Sequence, residues 1–72
     1  MIPTNATGIT IHLPSYEIQV RRSIDGRWNW ALRYTYRDDG GFTRQDIRAL
    51  GSADTATEAI ALGVAAYEER PR

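Results

Sequence analysis

The residues best equipped for recognition chemistry in this 72-residue chain are its arginines: all nine basic residues are Arg and none is Lys. Guanidinium is a planar, permanently charged fork that meets phosphate or carboxylate oxygens through two parallel hydrogen bonds, which a lysine ammonium does not do. Five of them, Arg21, Arg33, Arg37, Arg44 and Arg48, stand at polar positions of segments that otherwise alternate with apolar residues. Beside amides such as Gln19 and Asn29 on a twisted sheet, such forks would contact phosphates and base edges in a nucleic-acid groove. Two plainer explanations compete. A GC-rich genome favours Arg codons, and a charged sheet face can serve only to discourage aggregation.

Catalytic chemistry finds little support. The single histidine, His12, has no cysteine to act with, because the chain contains none, and it reads as an exposed edge side chain. Asp38-Asp39 precedes Gly40-Gly41, where adjacent carboxylates are ordinary turn formers, and no further ligand is spaced to complete a metal site. Thr55 and Glu58 pair a hydroxyl with a base, yet their spacing is that of a helix capping box. The phosphate-loop, dinucleotide and nucleophile-elbow glycine motifs are all absent. The sequence predicts a protein that is not an enzyme and carries neither cofactor nor metal.

Nine acidic residues balance the nine arginines, so net charge alone directs the chain to neither nucleic acid nor an anionic membrane. The length allows one domain around one small core, without disulfide staples. No apolar run approaches the roughly 18 residues of a membrane span. Met1-Ile2-Pro3-Thr4-Asn5 lacks the regions of a signal peptide. A cytoplasmic location with no membrane partner is the expectation.

The elements that must position these arginines are organised by Trp28–Arg37. Trp28, Trp30, Leu32, Tyr34 and Tyr36 alternate with Asn29, Ala31, Arg33, Thr35 and Arg37, the signature of a strand with one face buried. Tyr16 to Ser23 alternates likewise, with Tyr16, Ile18 and Val20 inward. A two-residue Asp25-Gly26 turn would put the two apolar stripes on opposite faces. A three-residue loop, Ile24-Asp25-Gly26 with Gly26 in the left-handed region, instead sets Val20 opposite Trp30, Ile18 opposite Leu32 and Tyr16 opposite Tyr34.

Asp38-Asp39-Gly40-Gly41 reverses the chain into a third strand, roughly Phe42 to Leu50. Pairing Arg37 with Phe42 predicts Leu32 beside Ile47, Trp30 beside Ala49, Arg33 against Asp46 and Thr35 against Arg44. Gly51 to Asp54 reads as a linker. Thr55 opens a helix that runs to about Glu69, with Ala56, Ala59, Ile60, Gly63, Val64 and Tyr67 as its apolar stripe. Gly63 implies close approach to something bulky, for which the Trp28/Trp30 face is the candidate. Upstream, Ile9 to Leu13 alternates before Pro14. Residues 1–15 therefore form either a flexible N-terminal arm or an extra edge strand ahead of a single 16–72 domain.

The predicted class is α+β: a three-stranded antiparallel meander, four-stranded if the arm pairs, with one C-terminal helix packed on one face. The aromatic stripe has two uses, as core or as a stacking platform for bases. It coincides with the face best able to form a core, so core is the reading taken. The opposite, open face would then carry Arg21, Arg33, Arg37, Arg44 and Arg48 against Glu17 and Asp46, while acids gather near the helix.

Gly26-Arg27-Trp28-Asn29-Trp30, Asp38-Asp39-Gly40-Gly41 and Thr57-Glu58-Ala59-Ile60, within residues 16–69, resemble small βββα modules. The arm-type DNA-binding domains of phage tyrosine recombinases are the best-known of these. The resemblance implies a bacterial or phage protein whose open sheet faces a DNA major groove through the same five arginines. The competing expectation is a protein-interaction module, a small regulator that binds another protein or itself through the N-terminal arm or a sheet edge.

Overall fold

The computed structural model describes residues 8–70. Four strands and one helix follow in order: β1 (Gly8–Leu13), β2 (Tyr16–Arg22), β3 (Trp28–Arg37), β4 (Thr43–Ala53) and α1 (Ala56–Glu68). The strands form one antiparallel meander, β1-β2-β3-β4. Over Gly8–Leu13 the segment expected as arm or strand is the edge strand, pairing Ile11 with Ile18 and Leu13 with Tyr16. Residues 1–7 of that expected arm lie outside the described residues. Pro14-Ser15 turns the chain, with Ser15 at a left-handed φ of 60°. The Ser15 carbonyl accepts from the Thr35 amide at 2.8 Å, anchoring this turn to β3.

The β2–β3 hairpin has the register that parity demands: Val20 opposite Trp30, Ile18 opposite Leu32 and Tyr16 opposite Tyr34. Its loop closes through the Ser23 amide to the Arg27 carbonyl at 2.8 Å, with Gly26 at φ 87°. Between Ser23 and Arg27 lie three residues, so the apolar stripes share a face.

The β3–β4 hairpin corrects the expected register. Its loop has the same construction: the Asp38 amide donates to the Phe42 carbonyl at 3.0 Å and Gly41 sits at φ 81°. The first strand pair is therefore Arg37 with Thr43, not Arg37 with Phe42. Continued unbroken, that register would push Arg48 and Leu50 under the helix. An irregularity at Leu32/Arg33 prevents this, one extra β4 residue restoring the small side chains to the inner face. Leu32 thus faces Ala49 rather than Ile47, Trp30 faces Gly51 rather than Ala49, and Trp28 faces Ala53. Gly51 to Ala53, expected as linker, completes the strand.

Thr55 caps the helix by accepting from the Glu58 amide at 3.1 Å. Helix α1 lies across β2, β3 and β4. The core between them is Ile18, Val20, Leu32, Ala53 and Ala59, each at most 1% exposed. A Cβ on Gly63 would stand 2.7 Å from Ile18 Cγ2, so the helix rides directly on β2. The close approach is as the sequence implied, but its partner is Ile18, not the tryptophans. Trp30 is matched instead by Gly51, where a Cβ would come within 2.9 Å of the indole nitrogen. Val64, expected in the buried stripe, is exposed, whereas Ala66 packs against the core.

Candidate nucleic-acid interface on the open sheet face

Helix α1 covers one face of the sheet and leaves the other open. Side chains directly opposite in an antiparallel ladder share a face, so the register assigns each expected arginine. Arg21 lies opposite Asn29, and Arg33 opposite Glu17. Arg37 follows Arg33 and Thr35 on the same face of β3. These three remain on the open face. Along β3, Arg33 and Arg37 are about 13 Å apart at ~3.3 Å per residue.

Arg44 and Arg48 are not there. Arg44 pairs with Tyr36, on the helix side, and its Nε donates to Asp38 Oδ2 at 2.7 Å. Arg48 places its guanidinium over the Tyr34 ring, 4.8 Å from the centroid. The physical reason is the three-residue loop, which shifts β4 by one residue and flips every side chain between Thr43 and Arg48 relative to the expected pairing. Asp46 moves with them, opposite Tyr34, while Ile47 comes to the open face opposite Arg33.

What remains on the open face is a mixed surface. An open depression of about 630 Å³ is bordered by Arg21, Arg33, Gln19, Asn29 and Ser52, with Ala31 and Leu50 also lining it. Neither Arg21, Arg33 nor Arg37 has a carboxylate within 4.0 Å among the described residues, whose ion pairs are Arg27–Asp54 and Arg44–Asp38. The Nε of Arg33 is buried without a hydrogen-bond partner. Glu17, the nearest cross-strand acid, is occupied elsewhere. Its Oε2 accepts from Gln45 at 2.6 Å and its Oε1 from Gln19 at 3.2 Å. Gln45 also reaches Thr35 Oγ1 at 3.4 Å, so amides tie β2, β3 and β4 together beside the arginines. His12 is exposed, opposite Glu17 on β1.

One pair of residues escaped sequence reasoning. Ile47 and Leu50 are 51% and 68% exposed on the open face, beside Arg33 and Ala31. Applying the three-residue loop to both hairpins would have turned Ile47 outward. On the helix side, all four tyrosines gather in one chain of contacts. Tyr16 meets Tyr34 at 5.2 Å and Tyr67 at 5.4 Å, and Tyr36 stacks on Tyr34 at 5.7 Å. Arg70 covers Tyr67 at 4.0 Å and Arg48 covers Tyr34, contacts that hold cations over ring faces. Of the aromatic stripe on β3, Trp28 and Trp30 pack against the core, while Tyr34 and Tyr36 continue it along the helix side as half-buried rings.

The turn carboxylates are also fixed. Asp38 is held below its ordinary value by the Arg44 guanidinium and then by the Phe42 and Gly40 amides. Asp25 is lowered by the Ser23 hydroxyl and the Arg27 amide. Both are therefore anionic turn locks at neutral pH. Among the described residues no group of three or more His, Asp or Glu side chains converges as a metal site would require. No helix among them is long and apolar enough to cross a membrane. Compared with known protein families, curated proteins and solved structures, the chain matches none.

Proposed function

We propose that this chain is a small binding module that lays a nucleic acid across the open face of its sheet, with Arg21, Arg33 and Arg37 as the phosphate-contacting residues. The observation that carries this reading is the depression between Arg21 and Arg33, where two guanidiniums lack carboxylate partners among the described residues and one buried Nε has no acceptor. The Arg33 Nε is shielded from solvent, so contacts to a ligand oxygen would fall to the terminal N–H groups of its guanidinium. Gln19 and Asn29 stand alongside as amides able to meet base edges.

The test is a titration of the full chain with short duplex and single-stranded DNA at low salt, followed by amide NMR shifts. Shifts should concentrate on Gln19, Arg21, Asn29 and Arg33. Arg33→Ala and Arg37→Ala should each weaken binding and flatten the log Kd against log salt slope by about 1. Arg48→Ala, on the other face, should leave both unchanged. Absence of shifts with either DNA at low salt overturns the reading.

A second reading has its own observation. Ile47 and Leu50 give the same face an exposed apolar corner beside Arg33, which suits a protein ligand bearing an acidic group next to an apolar one. Ile47→Ser would weaken that complex and leave DNA binding intact.

A further inference from the structure

Strand β4 closes the sheet, so one of its two edges has no partner among the described residues. Because the Phe42 carbonyl accepts from the Asp38 amide, its peptide group faces β3. Peptide groups in an antiparallel strand turn alternately toward one neighbour and then the other. Arg44 and Asp46 accordingly face β3, and Thr43, Gln45 and Ile47 present their amides and carbonyls outward. Exposed edges are commonly blunted by proline, by shortness or by charges that repel a second copy. From Phe42 to Arg48 this edge has no proline, and its pairing to β3 is regular up to the irregularity beyond Ile47. Its charges alternate in sign: Arg44, Asp46, Arg48.

We propose that this edge pairs with itself, joining two copies of the chain antiparallel about a two-fold axis at Gln45 into one continuous sheet. In that register Arg44 meets Asp46 of the partner subunit, and the reciprocal pair forms across the axis. Thr43 meets Ile47 of the partner subunit, the last residue before the irregularity. Helix-side residues meet helix-side residues throughout, so both helices cover the same face and both open faces become one. Arg44 uses its Nε on Asp38, leaving its terminal N–H groups for an incoming carboxylate. Asp46 is exposed and has no ion pair or side-chain hydrogen bond with a described residue, so it is free to receive one.

Neighbouring registers fail on charge or geometry. An axis at Asp46 sets Arg44 against Arg48 and Asp46 against itself. An axis at Arg44 opposes two arginines. An axis at Ile47 runs the pairing into the irregular stretch. The opposite edge, β1, contains no Arg, Asp or Glu to select a register.

The test is sedimentation equilibrium on the full chain without nucleic acid, from micromolar to millimolar concentration, with amide NMR at the same concentrations. The expected result is a concentration-dependent rise to twice the 8.1 kDa of one chain, with shifts centred on Thr43, Gln45 and Ile47. Asp46→Arg should weaken dimerisation roughly 100-fold by facing arginine with arginine. Gln45→Pro should abolish it by removing the donor on the axis, which does not bond to β3. Both variants should retain the monomer's NMR fingerprint. A monomer mass throughout overturns the proposal, and so does a dimer that survives both substitutions.

Discussion

The two ladders that meet on β3 begin from the same loop and end very differently. Each closes over three residues, the third a left-handed glycine, Gly26 or Gly41. The β2–β3 ladder then runs without a fault and holds Ile18, Val20 and Leu32 at 1% exposure or less. The β3–β4 ladder leaves every residue from Thr43 to Arg48 exposed, then takes in an irregularity and turns Ala49 and Ala53 beneath the helix. A loop sets where a hairpin starts, but the layer above decides which register it can keep. On β2 the loop register already points large aliphatics inward. On β4 it would bury an arginine, whose desolvation is costly, and one inserted residue is the smaller disturbance. The outcome is a scaffold of β2, β3 and α1, and a lip of β4 whose outer half, Thr43 to Arg48, stays exposed.

Substitutions beneath the helix should have the largest effect. Gly63→Leu forces a side chain into the space held by Ile18, 2.7 Å from where its Cβ would lie. Overpacking of this kind costs about 3 kcal/mol or more when backbone must move. A domain of this size has only roughly 4–11 kcal/mol in total. Urea and thermal unfolding should show loss of a large share of the stability, and an unchanged melting temperature would disprove the packing of α1 on β2. Next, Leu32→Ala should cost about 2–5 kcal/mol as a fully buried truncation. Ile47→Ala, half exposed on the lip, should stay within roughly 0.5 kcal/mol. Equal losses at the two positions would erase the distinction between scaffold and lip. The two loops, by contrast, should respond alike. A Cβ at Gly26 or Gly41 meets nothing within 4 Å. Alanine there should cost only the left-handed backbone penalty, about 1–2 kcal/mol each.

How far the sequence could be read follows the same division. Alternation along Trp28–Arg37 and along Tyr16–Val20 fixed both the face and the register of the scaffold, because a one-residue slip there exposes every apolar side chain. Thr55 and Glu58 located the helix start to the residue. On β4 the pattern carried less information. Its outer half has Ile47 as its one large apolar residue, and turning that residue inward is what puts Arg44 and Arg48 on the wrong side. The irregularity at Arg33 left a faint trace, the small residues Ala49, Gly51 and Ala53 at period two, which only make sense under a helix with an equally small stripe. Of the arginine site, Arg21 and Arg33 on neighbouring scaffold strands and Arg37 at the end of β3 were legible. The apolar corner of Ile47 and Leu50 was not, since its exposure depends on that single extra residue.

The smallest effect distinguishes the two loops by what holds their carboxylates. Asp25 and Asp38 both titrate below the ordinary 3.8, so each contributes stability that is complete above the unfolded value and fades as pH falls through the folded one. Neither should make stability vary with pH near neutrality, where both contributions are fully present. Their leading causes differ: a neighbouring hydroxyl, Ser23, lowers Asp25, whereas the Arg44 guanidinium on β4 lowers Asp38. Arg44→Ala should therefore move the Asp38 carboxyl back toward its ordinary value and leave Asp25 where it was, read by carboxyl carbon NMR from about pH 6 to about pH 2. If Asp38 does not move, the turn amides of Gly40 and Phe42 hold it unaided and the β3–β4 loop is as self-contained as its twin. If it moves, the lip of the sheet is fastened to its own turn through Arg44, the residue that would also meet Asp46 of the partner subunit. Acid would then loosen the β3–β4 turn, while the β2–β3 ladder, which has no such link, would keep its register.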